Sequence, residues 1–177
     1  MFIFRKLLKQ LRSLFLRGFF YSCGERFEIG RLQYLSEPKS ISIGNDVSIA
    51  DGANINCKPS IEPTLMIGNG VRIGRDVQIN AYNSVVIEDN VLFADRVYVS
   101  DASHNYNDKG NPIIKQGTDF VDSIKISSGA WLGINTVILP GVTIGKNAVI
   151  AANSVVRDDV PDFAIASGVP AKIVKNY

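Results

Sequence analysis

The strongest constraint in this chain is a six-residue period. An aliphatic or aromatic residue recurs at Ile43, Ile49, Ile55, Ile61, Ile67, Ile73 and Ile79. After a two-residue slip the period resumes at Ile87, Phe93 and Val99, and it returns at Ile126, Leu132, Ile138, Ile144, Ile150 and Val156. A small residue often follows, as at Gly44, Ala50, Gly68, Gly74, Gly133, Gly145 and Ala151. A period of six matches neither the 3.6 of a helix nor the 2 of an alternating strand. It suits short flat strands joined by sharp turns, with one inward side chain per strand. Three such hexapeptides close a triangular coil, and stacked coils bury a continuous aliphatic column. The expected fold is all-β, a parallel β-helix, with outward residues such as Val99, Trp131 and Val137 needing cover.

Composition narrows what such a solenoid can do. The 177 residues carry a formal net charge of only +2, too even a balance for a nucleic-acid-binding domain. Two cysteines, Cys23 and Cys57, are too few for a disulfide scaffold or a cysteine-only zinc site, which points to a reducing, cytoplasmic setting. His104 is the only histidine, so multi-histidine metal sites are excluded and no metal is expected.

The repeat breaks between Ser100 and Ser123. The spacing from Val99 to Ile126 is not a multiple of six, and Asn105, Asn107, Asp108, Gly110, Asn111 and Pro112 are turn formers. The segment must therefore loop out of a coil near residues 100–123. A long loop in a compact repeat is more often functional than decorative, and this one carries His104.

Several stretches carry a resemblance. Ile67-Gly68-Asn69-Gly70-Val71-Arg72, Ile73-Gly74-Arg75-Asp76-Val77-Gln78 and Ile144-Gly145-Lys146-Asn147-Ala148-Val149 resemble the hexapeptide-repeat acyltransferases. Ala130-Trp131-Leu132-Gly133, the run Pro140 to Gly145, Ala151 to Val156 and the ending Ser167-Gly168-Val169-Pro170-Ala171-Lys172 are similar to the galactoside, maltose and surface-polysaccharide O-acetyltransferase branch. The resemblance covers roughly residues 41–175. It implies a left-handed coil, a homotrimer, acetyl-CoA as donor, and a sugar or glycolipid acceptor, in surface-polysaccharide or lipopolysaccharide biosynthesis.

It also implies roles for particular residues. A sugar hydroxyl needs a base as it attacks a thioester, and an imidazole with a pKa near neutrality suits that task. His104 stands where the family places its catalytic histidine, with Asp101 a candidate to orient the ring, although a backbone carbonyl would serve equally. Asn83, with Asn80 as the other choice, is a candidate acceptor contact; the alternative is an asparagine ladder at a coil turn. Trp131 is expected near the active site or in a subunit interface. Gly133 and Ala152 match positions facing the pantetheine arm of CoA. Arg157 and Lys172, with Lys175 behind them, match positions near the adenosine phosphates, or else are ordinary solvated charges. A Thr-Lys pair common in the family is Arg157-Asp158 here, and Ile134 replaces a serine found in some relatives.

Other chemistries stay open at this point. N-acetylation of an amino-sugar nucleotide usually accompanies an added nucleotide-binding domain, for which the first forty residues are too short. Acetylation of a small antibiotic and a scaffold without catalysis are further readings.

Residues 1–20 differ from the rest. They hold Arg5, Lys6, Lys9, Arg12 and Arg17 with no acidic residue, leaving residues 21–177 at about −3. Phe4, Leu7, Leu8, Leu11, Leu14 and Phe15 recur at helical spacing, predicting an amphipathic helix distinct from the repeat domain of 21–177. It is too charged to span a bilayer. Its apolar face is expected to pack on the body or a neighbouring subunit, or to rest on an anionic membrane as a peripheral contact on the inner face.

Overall fold

The computed structural model describes the backbone of residues 2–120 and 122–177 and the side chains of 7–118 and 122–177. Each coil contributes one short strand to each of three parallel faces. The first face stacks Ser22–Cys23, Ile41–Ile43, Leu65–Ile67, Val85–Ile87, Ile124–Ile126 and Thr143–Ile144. The second begins at Glu28–Ile29 and closes with Ala164–Gly168 and an antiparallel last strand, Ala171–Asn176. The third runs from Tyr34–Leu35 through Asn54–Cys57, Gln78–Ala81, Tyr98–Ser100 and Val137–Ile138 to Val155–Val156.

The six-residue period becomes three columns. Ile43, Ile67, Ile87, Ile126 and Ile144 sit in register on the first face. Ile49, Ile73, Phe93, Leu132 and Ile150 do so on the second, and Ile55, Ile79, Val99, Ile138 and Val156 on the third. All are buried. Full burial of each such side chain is worth about 1.5–3 kcal/mol. Two readings need correction. Val99 points inward and needs no cover, because it occupies the same strand position as Ile79 and Ile138. Ile61, although six-spaced, is 91% exposed: it belongs to an outward segment between Cys57 and Thr64, where no strand holds it in register.

The turns explain the small residues. A Cβ on Gly44 would lie 2.7 Å from the Gly68 carbonyl carbon of the next coil, so stacking at that corner requires glycine. Asp46, Asp76, Asn90, Asn135 and Asn147 take the left-handed conformation that Asn and Asp tolerate best. Side chains at one corner also form a ladder: Asn45 Oδ1 accepts from the Glu25 N–H, and Asn69 Oδ1 from the Asn45 N–H, both at 2.8 Å.

Coil length varies, and all the variation falls at one corner. Stacked partners are separated by 20 residues at Glu25 and Asn45, 24 at Asn45 and Asn69, 39 at Arg96 and Asn135, and 18 at Asn135 and Asn153. Within each coil the steps from first to second and second to third face stay at six. The surplus leaves where the third face turns into the next coil's first.

The amphipathic helix forms over Phe2–Arg17 and caps the open end of the solenoid. The N–H groups of Glu28 and Gly30 bond to Val47 and Ile49 of the next coil, so the intervening Ile29 N–H points to the free edge. There it donates to Ser13 Oγ at 2.9 Å. Phe20 and Phe27 close the core beside it in an edge-to-face pair.

Candidate active site

The surplus corner gathers the chemistry. The excursion leaves the third face after Tyr98–Ser100 as a two-stranded antiparallel ribbon, Ala102–His104 against Thr118–Phe120, with His104 opposite Thr118. His104 is exposed at the stem, and its Nδ1 lies 3.4 Å from Thr118 Oγ1. A neutral ring protonated on Nδ1 donates to that hydroxyl and keeps the Nε2 lone pair free.

Beside it opens a cleft of about 400 Å³ lined by Lys58, Asn80, Tyr82, Tyr98, Ser100 and Thr118, within the size range of small-molecule sites. Its wall is the outer surface of the third face. Asn80 Nδ2 donates to the Tyr98 hydroxyl at 3.3 Å, and the Tyr82 hydroxyl bonds to the Asn56 amide. Burial pushes the Tyr82 phenol above its ordinary pKa, so it stays a neutral donor and acceptor. Amides, phenols and one ammonium beside an imidazole make a hydroxyl-recognising surface with a base at its rim.

Asp101 requires a correction. It is completely buried and does not hold His104. Its Oδ1 accepts the Tyr82 N–H, and its Oδ2 the Asn83 and Ser84 N–H groups, each at 2.8 Å. A carboxylate so enclosed neither meets substrate nor orients the imidazole; it fixes the preceding coil's corner. Asn83 is likewise outside the cleft lining, its Nδ2 reaching Ser123 Oγ at 3.4 Å, whereas Asn80 lies within it. Spacing alone could not choose between them, because the choice depends on which residue the Asp101 turn rotates outward.

The remaining predicted residues lie elsewhere on the prism. Trp131 is 48% exposed on the second face, between Leu92 and Val149. Gly133 follows it at the next corner, where a Cβ would come within 2.7 Å of the Ala152 nitrogen, so its small size serves coil stacking. Ala152 is exposed at that same corner. Arg157 and Lys172 both reach Asp158, at 3.5 and 3.3 Å. The Lys172 hydrogen bond first, then the charges of Lys172 and Arg157, hold the Asp158 carboxyl below its ordinary pKa. The cations are thus exposed and gathered, with Asp158 in their midst. Lys175 pairs with Ile165 in the closing strands. Sequence reasoning missed Lys58, Tyr82, Tyr98 and Thr118, and the only signal for Tyr82 and Tyr98 was aromatic residues at outward repeat positions.

Comparisons with known proteins agree with this architecture. Residues 123–158 match the bacterial transferase hexapeptide (six repeats). A Mycobacterium tuberculosis protein assigned as an acetyltransferase is 39% identical over 140 residues, covering 79% of this chain and 45% of that protein; the chain thus spans under half of that relative. An Escherichia coli protein assigned as a lipopolysaccharide biosynthesis O-acetyl transferase, WbbJ, is 29% identical over 150 residues, covering 81% of this chain and 76% of its own. A galactoside acetyltransferase solved in complex with coenzyme A superposes with a TM-score of 0.65 at 27% identity, covering 94% of this chain and 70% of that one. The period, the stacked coils, the matched repeats and these relatives together make the chain a member of the hexapeptide-repeat transferase family.

Proposed function

We propose that this protein is an acetyl-CoA-dependent O-acetyltransferase that acylates a sugar hydroxyl, in the assembly of a surface polysaccharide or lipopolysaccharide. The observation that carries the reading is the placement of the only imidazole at the rim of a cleft lined by Asn80, Tyr82 and Tyr98. His104 Nε2 takes the proton from the acceptor hydroxyl as its oxygen forms a bond to the thioester carbonyl carbon. The carbon–sulfur bond then breaks, and the imidazolium returns the proton to the departing thiolate. Thr118 Oγ1 accepts from Nδ1–H in the tautomer this needs.

The residues present fit a CoA thioester as co-substrate. Arg157 and Lys172 supply exposed cations for its phosphates, and the Gly133–Ala152 corner leaves an unobstructed edge for a narrow pantetheine chain. That edge and Trp131 lie on a different side of the prism from His104. On this reading the donor edge of one copy meets the base of a neighbouring copy in a homotrimer. Light scattering showing a fully active monomer would overturn that arrangement.

Thiol release from acetyl-CoA across a panel of sugars and glycolipids tests the activity. His104→Ala is expected to lower kcat by about 10²–10⁴ with folding intact. Unchanged turnover in the folded variant would remove His104 from the mechanism.

A further inference from the structure

The capping helix packs the opposite way round from an ordinary amphipathic helix. Among the described residues, its contacts with the solenoid come from Lys9, Ser13 and Leu16, with Arg17 reaching the Cys23 carbonyl at the helix end. Lys9 Nζ pairs with Glu28 at 2.8 Å and Ser13 Oγ caps the Ile29 N–H, while Leu16 packs on the core. At about 100° per residue, Leu11 stands roughly 160° from both the Lys9 and the Ser13 positions. Leu7 and Leu14 lie on one side of Leu11, and Leu8 and Phe15 on the other. Leu11 is 55%, Phe15 69% and Leu14 72% exposed. The apolar face therefore points directly away from the protein. The side chains of Phe4, Arg5 and Lys6 lie outside the described residues, so the surface rests on residues 7–17.

Cations border this face on both sides. Arg12 falls about 100° from Leu11 on one flank and Arg17 about 120° on the other. Arg17 is exposed and donates from Nε to the Cys23 carbonyl at 3.3 Å, while Lys39 binds the Gly18 and Phe20 carbonyls just beyond the helix. The helix contains no acidic residue. Of the nearby carboxylates, Glu28 is met by Lys9 and Glu25 by Arg26.

We propose that this face is the seat of the protein on an anionic phospholipid surface, with the helix lying in the interface plane and the solenoid standing on it. Charge complementarity selects lipid over a second copy of the chain. Two such faces packed together would oppose Arg12 and Arg17 of one helix to those of the other with no carboxylate between, whereas anionic headgroups satisfy both flanks at once. At 16 residues the helix is too short to cross, and among the described residues no helix is long and apolar enough to do so. Lying flat is the geometry left to it. His104 belongs to the fourth coil, about 15 Å above the first at the spacing of parallel strands, and with the helix about 10 Å thick beneath it the cleft opens sideways roughly 25 Å from the surface.

Vesicle co-sedimentation tests this without donor or acceptor, so its outcome is independent of the catalytic reading. The full chain is expected to sediment with vesicles of phosphatidylcholine mixed with phosphatidylglycerol, and far less with phosphatidylcholine alone. Binding should fall as salt rises. Each basic residue near such a surface contributes about 1 kcal/mol, so Arg12→Gln/Arg17→Gln should weaken binding about fivefold per charge. Leu11→Gln/Leu14→Gln, with helix-forming glutamine at exposed positions, should weaken it more than tenfold on the same vesicles. Anionic-vesicle binding unaffected by salt, or unchanged in both variants, overturns the proposal. So does an unmodified chain that ignores anionic vesicles; a mass changed by Leu11→Gln/Leu14→Gln in light scattering would then give the face to a second copy. The salt titration needs no variant, so a folding failure leaves the test decisive.

Discussion

Asp101→Ala removes the acceptor of three backbone hydrogen bonds at once. The donors are the N–H groups of Tyr82, Asn83 and Ser84, each 2.8 Å from a carboxylate oxygen that is buried completely. A hydrogen bond to a charged group is worth about 1.5–3 kcal/mol, and an orphaned buried donor costs about as much. The three are not additive, because Asn83 is exposed and water can reach its N–H. A loss of about 3 kcal/mol follows, and for a chain of this size it lowers Tm by about 6–12 °C. Asp101→Asn keeps one acceptor oxygen but turns an amide N–H₂ toward backbone donors, so it should lose about half as much. Differential scanning calorimetry gives the stability; steady-state kinetics gives the cost of a displaced corner to His104. If Asp101 instead oriented the imidazole, Asp101→Asn would lower kcat sharply at unchanged Tm. That result, or an alanine variant that melts with the unmodified protein, would refute the assignment.

Thr118→Val, which keeps shape and loses the hydroxyl, should lower kcat about two- to tenfold, the value of one neutral hydrogen bond, with little change in KM. Arg157→Glu and Lys172→Glu should each raise KM for acetyl-CoA and leave the acceptor KM nearly unchanged; the reverse pattern would place these residues on the acceptor side. The Cys57 thiol, pushed up to about 12 mainly by burial, should resist alkylation in the folded protein at neutral pH and react only on unfolding, which quantitative mass spectrometry would read. The Glu88 carboxyl is held below its ordinary value of 4.5 chiefly by the Lys125 hydrogen bond and then by the Ser128 N–H. Its contribution is therefore full above about pH 4.5 and disappears as pH falls through the depressed folded value, so Glu88→Gln should blunt part of the acid-induced fall in Tm.

The fold was legible because stacked coils have no alternative outlet for a six-spaced aliphatic: a residue such as Ile126 or Ile144 can only join the column. Ile61 shows where this logic stops. It satisfies the spacing, yet a lone match inside an outward segment has no stacked partner to hold it. The hand of the coil came from the resemblance and not from spacing. The first coil, from Cys23 to Leu35, escaped notice although Gly30 follows Ile29, because a cysteine stands at its first column position and the step from Leu35 to Ile43 breaks the six-residue period. In the site, the position of His104 at an excursion could be read directly. The duty of Asp101 could not, because its partners are backbone N–H groups seventeen to nineteen residues away. The cleft wall also crosses coils: Lys58, Asn80 and Tyr98 become neighbours only after stacking sets them side by side.

Stability and function are separated by corner. Two corners of every coil are tight, six-residue steps, most of them turned by a left-handed Asp, Asn, Arg or glycine, with close approaches such as Gly44 on Gly68. An added residue there would shift every column above it by one position and turn its aliphatics outward. The third corner varies in length, its left-handed residues Glu37 and Gly141 falling at single turns and not repeating from coil to coil, so 57–64 and 100–123 leave and return without disturbing register. Residues added at that corner stack above one another, which is why Lys58, Asn80 and His104, from three successive coils, share one cleft. Asp101 stands at the junction: buried like a core residue, it fastens the excursion that begins with it to the corner below. A substitution at Ser103, on the hairpin stem and in the cleft lining, should therefore alter what the cleft accepts while leaving the melting behaviour of the solenoid nearly untouched, and one at Asp101 should alter both.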